Sequence, residues 1–413
     1  MIVSMLVNQV ILFIKILNSM LNDRIVSDKT WIAVMRFVLI PYAKLVKPYI
    51  TYSEIKHSEA KSWEISDAET FRLERPNRAS AVPDDIKYKV GEYDLEAAYI
   101  LECDDVVMSG DTGAKFKNKK LILFDYHSEN RKFLNRMYAV KVRNHIMDSK
   151  YPAAKSEADC DLTIHSPALV LLGVFIDNYT HWTQEYLILL EAIETYRSST
   201  NSLPKIIISE NSPTYVKQSL NHLGYPDSYI IEIQQETVLL KKCLLPSKRR
   251  QYSGQKQTAW VRENNSFNWL RAKATDALDN PTSVSKSKKI FISREDAEYR
   301  RIQNRSEVVE RLANLGFEKY VLSDLSFEQQ VDLFSDAEII VGAHGSGLIN
   351  AIYSHGSLVV ELFADRYTAA IYEICTNLGN DYVCIECEPE GRDLRITTEQ
   401  LDKLSKAIRR RDD

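Results

Sequence analysis

The most restrictive feature of this 413-residue chain is a regular alternation of strand and helix signals between Lys289 and Glu386. "KIFIS" (289–293), "KYVLS" (319–323), "EIIVG" (338–342), "LVVELF" (358–363) and "DYVCIE" (381–386) are short runs rich in β-branched and aromatic residues. Helical patterns fall between them at 305–316, 326–337 and 367–379, with a short helix after the third strand. Gly316 stops the first helix, and Ser326 with Gln329 has capping-box spacing at the start of the second. Strands separated by such helices do not form hairpins. They lie parallel in one sheet, with helices on both faces.

Upstream the pattern is α/β but less regular. Strands are expected at 120–127, 168–175, 205–209 and 229–233, and helices at 181–196 and 215–223. Residues 54–90 are polar, broken by Pro76 and Pro83, and read as a connecting segment; 279–289 reads as a linker. The chain is too long for one ordinary domain. The expected division is N-terminal apolar helices over 1–60, an acceptor-side α/β domain over 61–280, a nucleotide-binding domain over 281–396, and a final helix over 397–413.

Composition excludes several classes. A formal charge of −4 argues against a nucleic-acid binder. Six cysteines do not make a disulfide framework, and Cys384 and Cys387 form a lone C-x-x-C without a second pair or nearby histidines. Reduced, cytosolic thiols fit that pattern. Two apolar stretches, 1–21 and 31–50, mix aliphatic residues with Lys15, Arg36, Lys44 and Lys47. They suit helices lying at a membrane surface; packing helices of a globular protein and a true span are the alternatives. No cleavage site for a signal peptide follows them.

Three constellations carry chemistry. The first is "GAHGSG", 342–347, at the carboxyl end of a strand, where open α/β sheets bind ligands. Free N–H groups at a helix start favour anions, and glycines admit them closely. The spacing of Gly342, Gly345 and Gly347 is neither the dinucleotide fingerprint nor a P-loop. A purely structural turn competes with an anion cradle. His344 favours the cradle, with Ser346 as an added phosphate donor. Glu361, ending the next strand, is placed to accept ribose hydroxyls, or else is a solvated strand-end acid. The second is "FISREDAEYRRIQN", 291–304: Arg294 directly follows a strand, with Arg300, Arg301 and Asn304 after it. Guanidinium forks grip phosphate at two points. The third is "DNYTHWTQE", 177–185, where His181 and Glu185 stand four apart on one helical face, as a base with its neighbour or as a surface pair. Trp182, Tyr186, Leu189, Leu190 and Ile193 form the inward stripe, and Gln184 is expected to point away.

In this order, the three blocks resemble glycosyltransferase family 61, which includes bacterial capsular-polysaccharide enzymes, plant xylosyltransferases and animal O-linked transferases. The matching residues are Asp177-Asn178…His181…Glu185, Ser293-Arg294…Arg300/Arg301…Asn304, and Gly342-Ala343-His344-Gly345-Ser346-Gly347-Leu348…Glu361-Leu362. The likeness covers roughly 165–365. It implies a GT-B architecture, two Rossmann-like domains with parallel sheets facing across a cleft, and an inverting sugar transfer to a hydroxyl acceptor. The donor implied is a nucleotide-diphosphate sugar, with a UDP-sugar expected and no metal or other cofactor. By that likeness Arg294, His344 and the glycine turn hold the diphosphate, with Asn178, Arg300, Arg301 and Asn304 also on the donor side. Glu361 takes the ribose, and the general base falls on Glu185, where the family usually carries Asp. Partners are then the nucleotide sugar, a saccharide or glycan acceptor in cell-surface or capsular polysaccharide synthesis, and a membrane surface.

Two rivals remain. A metal-dependent GT-A transferase would use "DCD", 159–161, and a non-catalytic nucleotide-sugar-binding protein would lack the base. On compartment, the glycosylation sequons at Asn178 and Asn304 fall inside the proposed site, which favours the cytoplasmic face of a membrane over a Golgi or endoplasmic-reticulum lumen.

Overall fold

The computed structural model describes residues 49–58, 60–76, 82–110, 113–123, 157–173, 175–252, 260–262, 264–278, 288–365 and 367–412. The apolar stretch 1–21, most of 31–50 and nearly all of the linker 279–289 lie outside them. Among the described residues no helix is long and apolar enough to cross a membrane.

The second half is a five-stranded, wholly parallel sheet. Its strands are Lys288–Ser293, Phe317–Val321, Ala337–Ala343, Leu358–Phe363 and Asp381–Glu386, and their spatial order is second, first, third, fourth, fifth. The Leu358–Phe363 strand is buried at every position, as a central parallel strand covered on both faces must be. On one face lie the helices Arg305–Ala313 and Thr398–Asp412, packing Val308, Leu312, Leu401, Leu404 and Ile408 against the sheet. The other face carries Phe327–Ser335, the 3₁₀ helix Ser346–Tyr353, and Ala370–Asn377. Ser326 caps Phe327–Ser335 through the expected box with Gln329.

The first half holds a ten-stranded sheet that is mixed, which corrects the expectation of two parallel sheets. Its centre is a long antiparallel pair, Ala98–Ser109 and Thr237–Pro246, that sequence patterning did not reveal. Charged doublets break both apolar runs, and these doublets face each other across the ladder. Lys242 is in register with Asp104, and Lys241 reaches Asp105 at 2.7 Å. Parallel strands Ala168–Val170, Lys205–Ser209 and Ile230–Ile233 continue the sheet to one side.

One apolar cluster joins the two halves. It takes Trp182, Ile193, Val216, Leu220, Phe267 and Leu270 from the first half, and Phe327, Phe334, Leu348 and Tyr353 from the second. The Asn264–Asp276 helix, also unforeseen, lies in this layer. Residues 69–95 are not a connector. Strands Glu69–Leu73 and Gly91–Leu95 pair antiparallel around a helix, Asp84–Lys89. Leu73, Ile86, Tyr93 and Leu95 join the shared core. Tyr372 Oη donates to Glu74 O at 2.5 Å, and Lys89 ion-pairs with buried Glu373, so this hairpin is fastened to the second half.

Candidate functional site

The order of the parallel sheet creates a switch point between Lys288–Ser293 and Ala337–Ala343, whose chains leave in opposite directions. Such a point opens a crevice beyond the carboxyl ends. Arg294 follows one of these strands and His344-Gly345 the other. A cavity of about 600 Å³ lies there. That is within the usual size of small-molecule sites, roughly 300–1,000 Å³.

Three parts of the chain wall it. The second half supplies Arg294, Tyr299, Arg300, His344, Gly345 and Ser346; the start of the helical run 179–200 supplies Asn178, Thr180 and His181; the Asp84–Lys89 helix supplies Asp85, Tyr88 and Lys89. Ile349 and residues 368–371 complete the lining. Two hydrogen bonds between the halves fix the wall. Thr180 Oγ1 donates to Ser346 Oγ at 3.0 Å, leaving the Ser346 hydroxyl proton available, and Tyr179 Oη donates to Asn350 Oδ1 at 2.6 Å. Asn178 caps its helix by accepting from Thr180 N at 3.0 Å.

The glycine turn works by close approach. A Cβ on Gly345 would stand 2.0 Å from Arg294 Nη1 and 2.6 Å from its Cζ, so the guanidinium reaches this backbone only because no side chain is there. Gly342 and Gly347 have another role. A Cβ at Gly342 would meet Leu348 Cδ2 at 3.0 Å, and one at Gly347 would meet Leu322 Cδ1 at 3.0 Å. Both let the 3₁₀ helix pack on the sheet, and neither lines the cavity.

Among the described residues Arg294 and Arg300 have no ion-pair partner, although the Asp296 charge acts on Arg294 and Asp85 lines the cavity. The Nε of each, though buried, makes no hydrogen bond. Arg294 Nη2 donates a single long bond, 3.4 Å, to Tyr299 O. Burial, and then the adjacent Arg300 charge, pull Arg294 below the usual guanidinium range. It remains a cation at neutral pH. Arg300 is held at φ 60°, a left-handed conformation rare for a bulky residue, with its N–H on Arg392 O at 2.9 Å. Its guanidinium and that of Arg392 lie 5.4 and 4.6 Å from the Tyr299 ring. Two half-buried like charges side by side are costly, and a bound anion lowers that cost.

The glycosyltransferase 61 family model matches residues 179–360. The chain carries a glycosyltransferase 61 domain. No curated protein matches the chain. The family 61 span begins at Tyr179, in the first block of motif residues, and ends beside Glu361, so it contains most of the cavity wall.

Within and beside the family 61 domain, several site expectations need correction. Glu361 is fully buried. One oxygen engages His344 Nδ1, and the other accepts from Tyr382 Oη at 2.6 Å. It therefore orients an imidazole and presents nothing to a ribose. Arg301 turns away to Asp393, at 3.1 and 2.9 Å, and Asn304 pairs with Ile396 through both backbone groups, O at 2.7 Å and N at 3.0 Å. Both hold the 393–396 segment in place, and neither lines the cavity. Gln184 does not point outward: it is buried, and its amide makes no hydrogen bond. The inward stripe is as expected, with Trp182, Leu190 and Ile193 buried and Tyr186 and Leu189 packed beside them. Trp182 Nε1 donates to Ser219 Oγ at 2.9 Å.

His181 lines the cavity and Glu185 does not. The pair is formed, Nδ1 to Oε1 at 3.2 Å, across the π-helical turn Trp182–Tyr186. With Nδ1 on the carboxylate, Nε2 is the nitrogen left to accept a proton. Asp161, of the candidate metal pair, instead accepts from Thr237 N at 2.7 Å, and neither it nor Asp159 lines the cavity.

Sequence reasoning missed Tyr299 and the Asp84–Lys89 helix. Tyr299 stood inside a block already singled out. The helix had a local signal, Pro83 followed by Asp84-Asp85 and closed by Lys87 and Lys89.

Proposed function

We propose that this protein is an inverting glycosyltransferase of GT-B type that moves a sugar from a nucleotide-diphosphate donor to a hydroxyl acceptor. The carrying observation is the unpaired Arg294–Arg300 couple at the switch-point crevice. The donor diphosphate lies against these guanidiniums, the Ser346 hydroxyl and the His344 imidazole, whose Nε2 faces away from Glu361. The acceptor oxygen attacks the anomeric carbon as the bond to the diphosphate breaks. The acceptor proton passes to His181 Nε2, and Glu185 steadies the imidazolium that forms. Negative charge growing on the leaving phosphate is met by donors already in place, often the largest catalytic contribution. A UDP-sugar is the expected donor, held by side chains without a metal or other cofactor, and a saccharide or glycan is the acceptor.

The reading places the enzyme at the cytoplasmic face of a membrane, in surface-polysaccharide synthesis. Both sequons support a compartment without N-glycosylation. Asn178 lines the cavity, and Asn304 Nδ2 donates to both Glu307 at 2.9 Å and Ile396 O at 2.7 Å. A glycan would block the first and break the second.

The test is a panel of UDP-, GDP- and CMP-sugars with and without EDTA, scored for nucleotide release and for the anomer formed. Release from one donor, insensitive to EDTA and with inversion, is expected. Binding without release or transfer would leave a nucleotide-sugar-binding protein.

A further inference from the structure

We propose that Phe175 is the platform on which a pyranose ring of the acceptor stacks, so the acceptor is a saccharide rather than a polypeptide hydroxyl. This rests on the glycosyltransferase reading above. Among the described residues three large apolar side chains stand out into solvent: Phe175 at 60%, Tyr88 at 43% and Leu162 at 38%. Two of the three belong to the site. Tyr88 lines the cavity, and Phe175 stacks on cavity-lining His181, with ring centroids 5.0 Å apart and planes at 27°.

The backbone at Phe175 is strained to achieve this. Its φ is 66°, in the left-handed region that bulky residues avoid. The Asn178 N–H donates to Phe175 O at 3.0 Å, closing the turn that leads into the site helix. A packing role would bury the ring, yet its outer face is left in water. Strain of this kind persists where surrounding structure holds it, and it gathers at functional sites.

The chemistry fits a sugar. A phenyl face is negative and apolar and offers no hydrogen bond. A pyranose ring has a flat face of C–H groups, weakly positive and poor in hydroxyls, which matches it. His181 is covered by Phe175 on one face and engaged by Glu185 at Nδ1. The phenyl ring stands between a sugar on its open face and His181, so the stacked pyranose is a neighbouring unit of the acceptor saccharide, not the unit whose hydroxyl gives up its proton. An extended peptide has no comparable flat apolar face to lay there.

The test is saturation-transfer-difference NMR on the full chain with UDP bound. The probes are methyl α- and β-pyranosides, disaccharides of glucose, xylose and galactose, and a Ser/Thr peptide. Variants are Phe175→Ala and Phe175→Tyr, with UDP affinity measured on each. The expected result is saturation transfer to the ring C–H protons of at least one saccharide. It is lost at least tenfold in Phe175→Ala and kept in Phe175→Tyr, with UDP affinity unchanged in both. Saccharide binding that survives Phe175→Ala overturns the proposal. So does peptide binding alone, or a UDP-binding protein that engages none of the saccharides. A wild-type chain that binds no nucleotide would instead defeat the glycosyltransferase reading itself.

Discussion

Glu361 and His344 form a buried hydrogen bond between carboxylate and Nδ1, and that bond sets which edge of the imidazole meets the cavity. The carboxylate is itself held. Tyr382 Oη donates to its second oxygen at 2.6 Å, and the Tyr367 and Tyr382 hydroxyls meet at 2.7 Å. Burial, then the Glu361 charge, push both phenols well above their usual range, so they stay protonated. The position at a strand end suggested a ligand for ribose; the structure makes it a support for His344.

Replacing Glu361 separates charge from packing. Glu361→Gln keeps the shape and removes the charge facing the imidazole. It is expected to weaken nucleotide-diphosphate binding about tenfold, ~1.4 kcal/mol, with little change in Tm. Glu361→Ala leaves the buried His344 Nδ1 without its partner and Tyr382 Oη with Tyr367 Oη alone, and should cost about 1–3 kcal/mol of stability. Calorimetric binding and urea melts on the two variants measure each effect.

Two glycines of one turn should fail differently. Gly345→Ala puts a methyl where the Arg294 guanidinium lies. The arginine tip can swing aside, so Tm should hold while nucleotide affinity falls. Gly342→Ala drives its methyl against Leu348 and Ile292 inside packed structure. Overpacking of that kind costs about 1–3 kcal/mol and should appear as a lower urea midpoint. Equal loss of affinity and stability in both variants would contradict these roles.

His181→Ala should lower kcat by about 10²–10⁴, the usual range for a lost general base, with nucleotide affinity nearly intact. Glu185→Gln should be milder, because it removes the orienting charge but keeps the imidazole. Glu185 acting directly would reverse that ranking, and steady-state rates on the two variants decide it.

Acid should weaken one specific tie. Burial raises the Asp393 carboxyl, but hydrogen bonds from Arg301 and Gln303 outweigh it and hold Asp393 below the usual carboxylate range. The folded chain thus binds this proton less readily than the unfolded chain, whose Asp titrates near about 3.9. The stability contribution is complete above that value and lost as pH falls through the lower folded value. Asp393→Asn should melt below wild type at neutral pH, and the gap should close in acid. A gap that persists at low pH would assign the effect to shape.

Much of this was legible in the sequence because it is local. The parallel sheet could be read from the alternation of "KIFIS", "EIIVG" and "LVVELF" with helices, and the Ser326–Gln329 cap from two residues three apart. The carboxyl-end positions of Arg294 and His344 followed from their places after strands, whereas the strand order that makes a switch point there did not. What stayed hidden depends on distant partners. Leu73, Ile86 and Tyr93 look like scattered apolar residues in a polar segment until the second half covers them. Arg301 and Asn304 look like site residues until the 393–396 segment, about ninety positions on, takes them. The burial of Glu361 depends on Tyr382, a strand away in space, and no spacing marks it.

The central claim is that Arg294 and Arg300, beside the glycine turn, hold a nucleoside diphosphate. Titration calorimetry with UDP, GDP and CMP on the wild-type chain, Arg294→Ala and His344→Ala, with and without EDTA, tests it most directly. Micromolar binding of one nucleoside diphosphate, indifferent to EDTA and lost in both variants, is the expected result. A folded wild-type chain that binds none of them would contradict the account.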